Sequence, residues 1–193
     1  MNLKLSLVLL VLVLSAPVAS LAQYEEAEKY AAKRGEEILK DTANVPDIHF
    51  YGITGKLSET DEKKVLPEVK ITIVDLYGEA HQQNSSADFG FYQLELKFDN
   101  KYKIYFEYPG MYTKFLEVDT RDVIDIEQER GYSFPTNMTM IPAENLDVKA
   151  LYLKKPVGRA YYDRRLQMLN WDLNYTDKLN AEVEKIKSKK KKR

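Results

Sequence analysis

Phe91-Tyr92-Gln93-Leu94-Glu95-Leu96-Lys97-Phe98-Asp99-Asn100-Lys101-Tyr102-Lys103-Ile104-Tyr105-Phe106-Glu107-Tyr108 is the stretch that decides the fold. Tyr92, Leu94, Leu96 and Phe98 alternate with Gln93, Glu95 and Lys97, and Ile104, Phe106 and Tyr108 follow Tyr102 at the same period of two. A period of two places successive side chains on opposite faces of a strand. Asp99-Asn100-Lys101 between the two runs has turn chemistry, so the pair reads as an antiparallel hairpin with one apolar and one polar face.

The same period extends in both directions. Tyr51, Ile53 and Leu57 share one face of an earlier strand, and Val69, Ile71 and Ile73 alternate with Lys70 and Thr72 in the next. Pro109-Gly110 is a turn leading into a strand over Tyr112 to Val118. Ser58 to Glu68, Gly78 to Asp88 and Asp119 to Ser133 read as polar connections. Phe134, Met138 and Met140 alternate again, with Pro135 confining that strand to an edge. Val148 to Leu153 and Val157 to Tyr162 are candidates for further short strands. Helical spacing is confined to the ends. Tyr24, Ala27, Ala31 and Ile38 form a thin stripe from Gln23 to about Asp41, read as a surface helix or spacer. Tyr175, Leu179, Val183 and Ile186 form a stripe from Asp172 to about Lys190. The fold expected is mainly β, an antiparallel sandwich flanked by N-terminal and C-terminal helices.

Residues 1–22 have the form of a cleavable leader. Lys4 precedes an apolar run from Leu5 to Leu14, and Ser20-Leu21-Ala22 supplies the small-x-small pattern, so cleavage is expected between Ala22 and Gln23. A spanning helix needs about twenty apolar residues, well beyond this run. The full chain has 29 Lys and Arg against 30 Asp and Glu, and Lys4 is the one charged residue removed with the leader. That balance gives no field for nucleic acid. Cysteine is absent. Small secreted domains of eukaryotes lean on disulfides, so an exported, cysteine-free chain suits a bacterial envelope, periplasmic or outer-membrane-associated. With no cysteine after the cleavage site, lipid anchoring is not expected.

The segment from about His49 to Thr120 resembles the carboxypeptidase regulatory-like domain, a transthyretin-like Greek-key sandwich. The resemblance rests on Gly52 and Gly55 in the opening strand, on Leu66-Pro67-Glu68-Val69-Lys70-Ile71, on Asp88-Phe89-Gly90-Phe91-Tyr92, and on Pro109-Gly110-Met111-Tyr112. It implies a non-catalytic module and brings no catalytic residues. The expected division is leader 1–22, helix and linker 23–46, sandwich 47–120, and an extension over 121–193 with short strands, a final helix and a basic tail.

Chemistry on offer is thin. His49 reads as a strand boundary, and His81 sits near Ser85, Ser86 and Asp88. That group admits a Ser-His-Asp reading, but an ordinary histidine on a solvated loop explains it as well. No spacing of histidines or cysteines suits zinc. Asp119, Asp122, Asp125, Glu127 and Glu129 lack the turn and spacing of a calcium loop. No catalytic residue, cofactor or metal ligand is assigned. Binding is better provided for: Tyr105, Phe115, Tyr161, Tyr162 and Trp171 are the candidate interaction surface, and Lys187 to Arg193 form a basic tail suited to weak contact with an anionic envelope surface. The function expected is protein–protein contact with an envelope partner. The alternative is an accessory module recognising peptide or glycan for an envelope hydrolase or transport system, with hydrolysis through His81 a distant third.

Overall fold

A computed structural model describes residues 22–38, 40, 47–57, 63–124, 132–144 and 146–190. The chain is mainly β, a sandwich of two mixed sheets flanked by helices. Residues 1–21, which hold nearly all of the expected leader, and the final three residues of the basic tail lie outside the described residues.

The first sheet is organised by β1 (Ile48–Leu57). Its first half pairs antiparallel with β5 (Phe91–Leu96) and its last three residues with β2 (Lys63–Val65). β8 (Tyr132–Pro135) and β9 (Met138–Met140) pair with the same β1 residues in parallel, so they occupy its other side. The second sheet runs β11 (Met168–Trp171), β10 (Gly158–Asp163), β7 (Lys114–Asp119), β6 (Lys101–Glu107), β3 (Lys70–Val74), β4 (Ala80–Asn84). The hairpin read from residues 91–108 is not a ladder: β5 and β6 lie in different sheets, and the turn at Asp99, with φ of 55°, crosses between them. The alternation was right and the pairing was not, because each strand buries its apolar face in the shared core. Ile48, Phe50, Tyr92, Leu94 and Leu96 meet Ile71, Ile104, Phe106, Leu116, Val118 and Leu169 there.

Three further expectations need correction. The sheets are mixed, since β10 also pairs with β7 in parallel. Position 120 is no boundary either, because β8 to β11 complete both sheets. The region over Val148 to Leu153 belongs to a helix, α2 (Leu146–Lys154), and not to a strand.

Helices cover both outer faces. The helix over residues 22–38, α1, is no spacer: Tyr24, Ala27 and Ala31 are buried against Ile53 and Val65 on the outside of the first sheet. It sits close because residue 35 is glycine; a Cβ there would come within 2.3 Å of the Tyr51 ring. Outside the second sheet, α2 and α3 (Leu173–Lys190) pack Val148, Leu151, Leu179 and Val183 against Tyr112. Asp172 caps α3, its Oδ1 accepting the Tyr175 N–H at 2.9 Å.

One buried polar knot joins the sheets. Thr54 of β1 is fully buried, and its hydroxyl lies 2.6 Å from Leu66 O and 3.0 Å from Ser85 Oγ. Ser85 Oγ in turn accepts the Val69 N–H at 3.0 Å. Gly90, with φ of 60°, brings its carbonyl to the Thr54 N–H at 2.9 Å, a conformation that a side chain would strain.

Candidate interaction site at the open edge

The β3–β4 hairpin is built by Asp75. Its Oδ1 accepts the N–H groups of Tyr77 and Glu79 at 2.9 and 2.8 Å, and its carbonyl accepts the Gly78 N–H at 3.2 Å. Gly78, with φ of 85°, supplies the left-handed residue of the turn. Leu76 donates its N–H to Asn100 Oδ1 at 3.1 Å, which fixes the tip against the β5–β6 connection. This ordered tip presents Leu76 at 50% exposure and Tyr77 at 80%.

β4 follows, exposed along its whole length. The Asp75 N–H bonds Glu79 O, and the Ser85 N–H bonds Val69 O. Antiparallel pairs alternate between bonded and unbonded, so His81 and Gln83 turn their backbone groups to β3. Ala80, Gln82 and Asn84 therefore point their N–H and C=O groups off the sheet, and no described residue bonds them. The His81 and Gln83 side chains share the inner face with Ile73 and Ile71, their register partners.

Between β4 and β5 lies a cleft of about 650 Å³, lined by Asp75, Glu79, His81, Glu95, Lys97 and Tyr102 among others. Three carboxylates face one lysine there. The Lys97 ammonium is held 2.5 Å from Asp47 Oδ2, and that hydrogen bond raises its pKa, with Glu95 adding to the effect. The Tyr102 hydroxyl is pushed up by burial, with Asp75 contributing in the same direction. The cleft is anionic.

The residues expected to form the interaction surface do not gather. Tyr161 is exposed at 42%. Tyr105 is half-buried, its ring 5.2 Å from Phe115. Phe115 and Tyr162 are buried, which removes them from any surface. Phe115 is covered on the outer face of the second sheet, whereas Tyr162 shares the inward side of β10 with Ala160. Trp171 also turns to the core, 5.1 Å from Phe134 and 6.3 Å from Phe50. Ala22 and Gln23 are exposed in the first turn of α1.

His49 is the second residue of β1, at the start of the strand, and is buried there. His81 lies on β4 rather than on a loop, while Ser85 is engaged in the Thr54 knot and Ser86 Oγ accepts the Phe91 N–H at 3.0 Å. Among the described residues no hydrogen bond joins His81 to Ser85, Ser86 or Asp88, so the structure does not assemble the triad. Among the described residues, no group of three or more His, Asp or Glu could hold a metal. Asp119 and Asp122 are bonded to Arg121 and Arg164, while Asp125, Glu127 and Glu129 lie outside the described residues.

Sequence reasoning missed Leu76, Tyr77 and β4. The signal was present: Asp75-Leu76-Tyr77-Gly78 is a turn sequence carrying two large apolar residues that a turn has no use for.

No family model matches the chain, and no curated protein does. Solved structures that match include the TIE protein of Bacillus anthracis, at 14% identity and TM-score 0.36 over 49% of this chain and 18% of that one. A C-terminal fragment of the pilus adhesin SpaC from Lactobacillus rhamnosus GG matches at 16% identity and TM-score 0.34, over 50% of this chain and 45% of the fragment. A longer SpaC structure matches at 16% and 0.35, with 15% of its length covered. The chain thus spans less than half of each, and likeness at this level carries no argument about its task. Among the described residues, no helix is long and apolar enough to cross a membrane.

Proposed function

We propose that the protein is a non-enzymatic, exported module that acts by protein–protein contact in the bacterial envelope. The observation that supports this best is the β3–β4 hairpin, an ordered tip displaying Leu76 and Tyr77 beside an exposed edge strand. Exposed tyrosines on rigid supports are common anchors at protein interfaces, and a tip held by its own hydrogen bonds loses little entropy on docking. Export would follow from the leader over residues 1–22, with cleavage after Ala22 freeing the start of α1. The basic end of α3, from Lys187 onward, would add weak attraction to anionic envelope surface. The sandwich would be a module of carboxypeptidase regulatory-like type.

A photo-crosslinking side chain at position 77, introduced in the native cell, tests the contact. One discrete protein adduct is expected from position 77 and none from position 161, on the far side of the second sheet. Equal adduct patterns from both positions, or none from either, would refute the reading.

A second reading, recognition of a glycan in the cleft, draws on its amide and phenol groups at Gln83, Asn100 and Tyr102. Envelope oligosaccharides should then raise the melting temperature of the unaltered protein, and Asn100→Ala should remove the rise.

A further inference from the structure

Among the described residues, sheet edges are protected in different ways, β9 for instance giving its Thr139 carbonyl to Lys114 Nζ, and β4 is left without such protection. β2 carries Lys63 and Lys64, and β8 carries Pro135, both of which discourage pairing. β5 is capped by side chains: Phe91 exchanges bonds with Ser86, the Gln93 carbonyl accepts Gln83 Nε2 at 2.9 Å, and the Lys97 N–H bonds the Tyr102 hydroxyl at 2.9 Å. On β11 the Trp171 N–H is taken by Asn170 Oδ1 at 2.8 Å. β4 has none of these devices. Ala80-His81-Gln82-Gln83-Asn84 contains no lysine, no proline and no break in register, and its outward donors and acceptors come at alternate residues as an added strand requires.

From this geometry we infer that β4 receives an extended peptide segment of a partner protein by strand addition, with cationic side chains at alternate positions directed over the cleft. The inference rests on the contact reading and specifies how the contact is made. Ala80, Gln82 and Asn84 supply the backbone bonds. The inward side chains of an added strand stand over the anionic cleft, where no described cation forms an ion pair with Asp75, Glu79 or Glu95, Lys97 being engaged with Asp47. Leu76 and Tyr77 flank the end of the docked strand and give it an apolar stop.

The test uses the processed chain and a short blocked peptide alternating lysine with valine. Binding should slow amide exchange at Ala80, Gln82 and Asn84. N-methylation of the peptide at the bonding amides should weaken it about tenfold or more, as should exchange of its lysines for glutamates. Gln82→Pro should weaken it similarly while the fold survives, because the Gln82 N–H takes no part in pairing with β3. If that variant fails to fold, the N-methylated peptide on the unaltered protein answers the same question. Protection at β5 or nowhere, indifference to N-methylation, equal binding of the glutamate peptide, or self-association of the pure chain through β4 would each overturn the inference. Should the peptide fail while position 77 still gives its discrete adduct, strand addition is wrong and the contact reading stands. Absence of that adduct removes the contact reading itself.

Discussion

Lys114 is the least comfortable residue in the molecule. It opens β7 at 7% exposure, donates from Nζ to the Thr139 carbonyl at 2.6 Å, and sits 5.4 Å from the centre of the Tyr152 ring. Burial, with Lys187 nearby, lowers its pKa to about 8. An unfolded lysine keeps its proton to about pH 10.4, so between those values the unfolded chain binds more protons and stability rises with pH. Below pH 8 the buried charge costs about 3 kcal/mol. Burial moves the hydroxyls of Tyr24, Tyr102, Tyr152 and Tyr175 the other way, so the stability they support is lost only above pH 10 or so. Chemical denaturation should therefore show stability increasing from pH 7.5 to about 9.5. Lys114→Met should be more stable than the parent at pH 7, by about 1–3 kcal/mol, with a flat profile across that window. A parent profile that is already flat would show that Lys114 finds solvent.

At the scale of elements, the Thr54–Ser85 knot ties β1 to the segments entering β3 and β5. Ser85→Ala removes the acceptor of the buried Val69 N–H and should cost about 1–3 kcal/mol, read as a fall in urea midpoint at unchanged slope. An exposed control, Ser188→Ala, should change little. The knot also illustrates what sequence could disclose. Strands β3, β5 and β6 were legible because each has one buried and one wetter face, which writes a period of two into Lys70–Val74 or Phe91–Leu96. α1 and α3 were legible for the corresponding reason, though not the docking of α1, which depends on Gly35 meeting a ring distant in sequence. β4 wrote no pattern, since all its residues are exposed and none is strongly apolar. α2 was misread because Val148, Leu151 and Tyr152 are its buried residues, and so short an apolar run fits either period. The aromatic surface failed on the same ground: period gives the face of Phe115 and Trp171, but not what lies across from it.

For the whole molecule, the decisive feature is that the first sheet is incomplete without the last third of the chain. A fragment ending at residue 120 contains every strand of the expected domain, yet it leaves β1 without β8 and β9, and β7 without β10. It also uncovers Tyr112 by removing α2 and α3. Residues 23–120 expressed alone should lack a cooperative unfolding transition and bind hydrophobic dyes, whereas residues 23–193 should unfold in one step. A cooperative transition in the shorter fragment would show that the later strands decorate an independent domain.

β1 also sets a schedule. Its parallel partners lie eighty-four positions later, a separation seen directly in the bond from the Ile53 N–H to Asn137. While the ribosome has made only the first hundred residues, one side of this ten-residue strand has nothing to pair with. Long-range pairing of this kind is slow, since a large loop must close before the contact repays it. A chain threaded through a narrow pore from its N-terminus would consequently pass β1 before that strand can lock, and the locked state would form only once the later strands have followed.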